Sequence, residues 1–272
     1  MNMKSNESTA DLHPIGVSTA SFYPHYLTED ALCAAAELGF EVVEAFLQVD
    51  AEYTSAFGAE LARRQRATGV AVHSLHLYAT SFDLWSAYPR MVEEVRHRFL
   101  RTLEVAAQVE ARALTWHGLR YGIDNPHLVE AFLDSLAWAA EQAHAAGITL
   151  CIENVSWCYL RRPEHVEILR GTGLPLGYTF DSFQAAESNT EPTALIRAMN
   201  GQLTTVHLAD FTETGPRHLP PGEGEIAWPE VLGALLDVGY DGPLIIEVAH
   251  LKSTETLVRA RDFVKRKLHE IL

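Results

Sequence analysis

The sequence predicts an α/β protein built as a single (β/α)8 TIM barrel, and three observations carry that expectation. Eight apolar runs rich in β-branched residues recur along the 272 residues. Stretches of helical periodicity fill most of the gaps between them, which is the pattern of repeated βα units. Near-continuous apolar strands covered by helices imply a parallel sheet, and eight such units in about 250 residues match the count and size of a closed barrel. An open doubly wound sheet is the alternative. Against it, the first run leads into Ser18-Thr-Ala-Ser-Phe-Tyr-Pro24 and carries no Gly-x-Gly-x-x-Gly phosphate turn.

The runs begin near Ile15 (IGVSTA), Glu41 (EVVEAFL), Val70 (VAVHSLHL), Ala111 (ARALTW), Ile148 (ITLCIE), Pro175 (PLGYTF), Leu203 (LTTVHL) and Pro243 (PLIIEV). Between them, Thr28 to Leu38 reads as a helix opened by a capping Thr and closed before Gly39. Pro89 to Val109 and Asn125 to Ala146 are rich in Ala, Leu and Glu, with apolar residues three and four apart. Gly69, Gly147, Gly239 and Gly242 stand where a helix must stop before the next strand. No composition shift divides the chain, so residues 12–272 are expected to form one barrel domain, with residues 1–11 a flexible tail.

Composition narrows the partners. The chain has 21 Lys and Arg against 36 Asp and Glu, a net charge of −15, with 47% hydrophobic residues. Nucleic-acid binding draws much of its free energy from cationic side chains that release counterions, so DNA or RNA is not expected as a partner. No apolar run reaches the roughly 18 residues of a membrane helix, and Met1 to Asp11 lacks the apolar centre of a signal peptide. A cytoplasmic protein with no membrane partner is expected. Cys33, Cys151 and Cys158 show no Cys-x-x-Cys spacing, so neither a disulfide framework nor a thiolate zinc site is expected.

In such a barrel the reacting groups sit at the C-terminal ends of the strands. Here the third run ends at His76, the fourth at Trp116-His117, the fifth at Glu153-Asn154, the sixth at Asp181, the seventh at His207-Leu-Ala-Asp210 and the eighth at Glu247. Taken singly, a carboxylate ending a strand is explained as a cap for the next helix, and a lone His as a satisfied rim residue. Together, three carboxylates converging on one mouth repel unless a cation or shared protons lie among them. Glu153, Asp181, His207 and Glu247 therefore read as ligands of one divalent metal ion. Three carboxylates and an imidazole suit Mn2+ best, with Mg2+, Co2+ and Zn2+ also compatible.

A sugar or polyol offering two adjacent oxygens to such a metal has its carbonyl polarised, and the neighbouring C–H becomes acidic enough for a carboxylate to take the proton. Glu153 and Glu247 come from strands on opposite sides of the mouth. One is placed to abstract from one face while the other returns a proton to the opposite face, which would give epimerisation or aldose/ketose isomerisation. Phe22, Tyr23, Trp116 and Trp157, at predicted loop positions, either wall a sugar site or pack beneath the loops.

At these residues the sequence resembles the xylose isomerase-like superfamily, in its sugar isomerase/epimerase branch with D-tagatose 3-epimerase-like enzymes, and more distantly endonuclease IV. The matching segments are Leu150-Cys-Ile-Glu153-Asn154, Thr179-Phe-Asp181-Ser-Phe, Val206-His207-Leu-Ala-Asp210, Pro220-Pro-Gly-Glu-Gly-Glu-Ile226 and Ile245-Ile-Glu247-Val, in order along the whole barrel. The resemblance implies the same four metal ligands, Glu153 and Glu247 as the acid/base pair, and a dimer or tetramer. The epimerases usually carry a His three residues after the strand-six Asp; this chain has Gln184, which implies a changed substrate. In Gly215-Pro-Arg217-His218-Leu-Pro-Pro-Gly222, both Arg217 and His218 stand where the family places an Arg.

The endonuclease branch would use His76, His117, Glu153, Asp181, His207, His218 and Glu247, but its further His and Asp are here Gln184 and Pro216. His76, His117, Trp116, Gln184, Arg217 and His218 are accordingly candidate substrate contacts. The sparse Lys and Arg of the predicted loops favour an unphosphorylated substrate. A metal-dependent hydrolase or lyase and a non-catalytic metabolite-binding barrel are the competing readings.

Overall fold

The computed structural model describes residues 13–78, 82–120, 123–249, 251 and 253–272. The tail expected over residues 1–11 lies outside them. Eight parallel strands close into a barrel in chain order: β1 (Ile15–Ser18), β2 (Val42–Phe46), β3 (Ala71–His76), β4 (Ala113–Trp116), β5 (Thr149–Glu153), β6 (Leu176–Asp181), β7 (Leu203–Leu208) and β8 (Leu244–Ile246). Every expected run becomes a strand, because each is an apolar stretch too short for a helix and bounded by turn residues. No described helix is long and apolar enough to cross a membrane.

Helices α1 (Thr28–Glu37), α2 (Ser55–Thr68), α3 (Pro89–Gln108), α4 (Pro126–Ala145), α5 (Pro163–Gly171), α6 (Ser182–Glu187), α7 (Pro192–Ala198), α8 (Trp228–Asp237) and α9 (Glu255–Ile271) cover the barrel. Their stops follow backbone sterics: Gly39, Gly69, Gly147 and Gly239 all take positive φ, where a Cβ would be strained. Gly242 does not belong with them; it is a close-approach glycine packed under the Tyr240 ring. Asn125 caps α4 by accepting from the His127 N–H. Thr28 does not cap α1. Its residue is already helical, and its hydroxyl donates to the buried carboxylate of Glu52 instead.

The barrel interior departs from the usual filling of branched apolar side chains. Glu44, Ser74, His76, Thr115, Glu153, Thr179, Asp181, Thr205 and His207 are all buried, and together they form a polar layer beneath the mouth. Register sets them side by side in pairs: Glu44 with Ser74, His76 with Thr115, Glu153 with Thr179, and Asp181 with His207. Thr115 Oγ1 lies 3.0 Å from Thr179 Oγ1 across the barrel. The apolar core lies instead between the strands and the helices.

Glycine on β6 permits this closure. A Cβ on Gly177 would lie 2.5 Å from Thr204 Oγ1 and 2.7 Å from Thr149 Cγ2, whereas one on Gly233 of α8 would meet open space. Urea unfolding should show Gly177→Ala destabilised by about 1–3 kcal/mol through overpacking, and Gly233→Ala unchanged or stabilised by up to about 1 kcal/mol. Equal stability of the two variants would contradict this packing.

Candidate functional site

The strand ends place the site. Asp181 is the last residue of β6, where it does two jobs with two oxygens. Oδ1 accepts the Gln184 N–H at 2.7 Å and caps α6, while Oδ2 points to His207 Nδ1 at 4.0 Å. Glu153 Oε1 and Glu247 Oε2 approach the same nitrogen at 3.0 and 3.3 Å. Three carboxylates from β5, β6 and the end of β8 thus converge on one imidazole edge. The opposite edge, Nε2, lies 2.8 Å from Glu44 Oε1 of β2. Glu153 Oε2 faces away from His207, toward His117 Nε2 at 2.9 Å and His76 Nε2 at 3.2 Å.

This crowding sets the proton affinities. Burial, then the charge of Glu153, pushes Asp181 well above the carboxylate range, and burial raises Glu247 as well. Burial acts the same way on Glu153 and Glu44, but there the imidazoles prevail. His117 and His207 hold Glu153 well below its ordinary value, and His207 leads in lowering Glu44 to about 2. Burial opposes a charge on His207, yet Glu44, Glu247 and Glu153 outweigh it and raise that group well above the ordinary histidine range.

The donor set fits a divalent cation. Oxygens of Glu153 and Asp181 and a nitrogen of His207 lie within 4.8 Å of one another. Glu247 Oε2, buried beside them, has no hydrogen-bond partner among the described residues. Three carboxylate oxygens with one imidazole nitrogen are the ligand chemistry of Mn2+, Mg2+ or Co2+.

Above this floor opens a cleft of about 710 Å3 lined by Tyr23, Phe46, His117, Glu153, Trp157, Gln184, Arg217, His218 and Glu247, among others. Gln184 Oε1 accepts the Ser156 N–H, which leaves its NH2 donors for the cleft. Arg217 is paired with Glu187 and stacked on Phe183. The His218 ring lies on Phe183 too, with centroids 4.0 Å apart.

The loop bearing both is tied down by Asp210, which accepts from the backbone N–H groups of Phe211, Gly222 and Ile226 and from Trp228 Nε1, at 2.8–3.0 Å. Four donors on one buried carboxylate fix the loop's course over the mouth.

Three expected wall or contact residues lie elsewhere. Strand alternation turns Thr115 inward and therefore Trp116 outward, where it packs between Trp85 and Phe132 with ring centroids 5.9 Å away. Phe22 is buried, and His76 lies under Phe46, a layer below the cleft, where it reaches Glu153 and not the open space. Sequence reasoning missed Glu44 and Phe46. Their signal was a carboxylate inside an apolar run, in step by two residues with an aromatic at the strand end.

Residues 32–267 match the family model described as xylose isomerase-like TIM barrel. The chain is 25% identical over 224 residues to a 2-oxo-tetronate isomerase of Pectobacterium atrosepticum, covering 78% of this chain and 83% of the relative. It is 23% identical to an L-ribulose-5-phosphate 3-epimerase of Shigella sonnei, covering 94% and 95%. The crystal structure of a D-tagatose 3-epimerase-like protein superposes with a TM-score of 0.81 at 21% identity, covering 95% of this chain and 98% of that one.

Burial lowers His218 to about 4, against about 6.5 in an unfolded chain. The folded state then binds fewer protons, so its stability is full above about pH 6.5 and declines as the pH falls toward 4. His218 sits at φ 50°, which Asn tolerates. His218→Asn should lose less stability than the parent between pH 7 and pH 5 in urea titrations; an identical loss would contradict the assignment.

Proposed function

The chain belongs to the xylose isomerase-like TIM barrel family, and we propose that within it the protein is a divalent-metal-dependent isomerase or epimerase of a monosaccharide or related polyol. The observation that carries the reading is that Glu153 and Glu247, from opposite sides of the mouth, both line the cleft and both meet at His207 Nδ1. Relatives named as an oxo-acid isomerase and as ketose 3-epimerases support proton transfer beside a carbonyl.

Glu153, Asp181, His207 and Glu247 would hold the ion, with Mn2+ the best match to their donors. When bound, it supplies a positive charge that polarises the substrate carbonyl and a neighbouring hydroxyl. The protein groups move the proton. Glu153 is kept ionised by His117 and His207, the state a base requires. Glu247, raised by burial, is the group better able to carry and return a proton. Abstraction by one and delivery by the other from the opposite face inverts the carbon beside the carbonyl. Trp157, Phe46 and Tyr23 wall the cleft against water, and Gln184 and His218 offer polar contacts to substrate oxygens. Arg217 is already neutralised by Glu187, which favours an uncharged sugar over a sugar phosphate.

A second reading, a metal-dependent hydrolase, has one observation behind it: ligand atoms of His76, His117 and Glu153 also lie within 4.8 Å of one another. A second tightly bound metal per chain, with turnover of a phosphodiester, would favour it.

Incubation of the Mn2+-loaded protein with ketopentoses, ketohexoses, inososes and hydroxy-ketoacids in D2O should give NMR-detected deuterium beside the carbonyl of at least one of them. Glu153→Gln and Glu247→Gln should each lower that exchange about 100-fold or more. Undiminished exchange in both variants, with metal still bound, would overturn the two-base reading.

A further inference from the structure

One charged group inside the barrel has no part in the reaction above. Glu44, on β2, is fully buried beneath the cleft. A closed barrel needs no charge at such a position; branched apolar side chains fill it in most proteins of this fold, and an unpaired carboxylate there is heavily penalised. Its contacts are specific. Oε2 accepts from Ser74 Oγ at 2.7 Å and from Thr115 Oγ1 at 3.0 Å, which fixes the carboxylate plane between β3 and β4. Oε1 is thereby left for His207, whose Nε2 lies 2.8 Å away at ion-pair distance, and neither of these two buried atoms has a hydrogen-bond partner among the described residues. The ring of His207 stands between two sets of carboxylates, with Glu44 at Nε2 and Glu153, Glu247 and Asp181 around Nδ1.

An imidazole can give a lone pair to a cation from Nδ1 only if its proton resides on Nε2, and which nitrogen holds the proton is decided by what the other edge meets. We propose that Glu44 is a positioning residue for the metal site: it accepts the Nε2 proton of His207 and so keeps the Nδ1 lone pair directed at the cation. This rests on the metal-dependent reading above. Glu44 does not line the cleft, although one of its oxygens lies within 4.8 Å of ligand atoms of His76, His207 and Glu247. It acts through His207, and Ser74 and Thr115 act through it. The polar layer of the barrel is then a built support, with each hydroxyl aiming the carboxylate that aims the ring.

The test is Mn2+ affinity of the metal-free full chain, read from the electron paramagnetic resonance signal of unbound Mn2+, with thermal melts checking that each variant folds. Glu44→Gln should weaken binding about 10- to 100-fold, the range for loss of a partner behind a ligating histidine. In a His207→Gln background the same substitution should have almost no further effect, because the residue it acts through is gone. Loss of a nearby negative charge alone would weaken binding equally in both backgrounds, and that result would overturn the proposal. So would Glu44→Gln binding within twofold of the parent. If Glu44→Gln does not fold, Ser74→Ala, which removes one of the two bonds aiming the carboxylate, should weaken binding several-fold, and unchanged affinity there overturns the proposal equally. Parent protein that binds no Mn2+ would remove the metal reading itself, and this inference with it.

Discussion

The site is organised by a surplus of negative charge gathered around one imidazole. Glu44, Glu153, Asp181 and Glu247 all lie within 4.0 Å of the fully buried His207 ring. Low local dielectric makes that crowding costly unless protons or a cation offset it. Proton sharing offsets part of it: two of the carboxylates are pushed up and two pulled down, and the imidazole is pushed toward its charged form. A divalent ion would offset the rest while leaving Glu153 and Glu247 facing the cleft. The same feature that strains the site electrostatically is the one the proposed proton transfer would use.

The fold serves that centre at three levels. Strand register sets Asp181 beside His207, with Glu153 opposite Thr179 and Glu247 two residues beyond the partner of His207, and a belt of hydroxyls below fixes the direction of Glu44. Above, Asp210 gathers four donors and holds the 211–227 loop, so that Arg217 and His218 overhang the mouth in defined positions. Arg217 is then committed to Glu187 and Phe183, which makes it part of the wall more than a grip for an anionic substrate. Gln184 has a similar double character, with one end tied to the Ser156 backbone and the other open to the cleft.

Much of this was legible in the sequence, for a definite reason. Short β-branched runs separated by helical periodicity can close only a few ways, so the barrel and the strand ends followed from spacing alone, and with them Glu153, Asp181, His207, Glu247 and His117. What was not legible depends on which way a side chain faces. Trp116 and His117 are neighbours in sequence, yet alternation sends one to the helices and the other to the site. Thr28 has the chemistry of a cap, but a buried carboxylate distant in sequence, Glu52, recruits its hydroxyl. Glu44 was hidden because it lies within an apolar run, where a lone Glu looks like a solvent-facing residue until the barrel closes over it.

The proposed chemistry depends on a cation occupying the Nδ1 side of His207 between the three carboxylates. The most direct test is anomalous X-ray scattering from crystals of the protein grown with Mn2+, collected on both sides of the manganese absorption edge. One strong anomalous peak enclosed by Glu153, Asp181, His207 Nδ1 and Glu247 is the predicted result. A peak elsewhere in the barrel, or none at saturating Mn2+, would contradict the account.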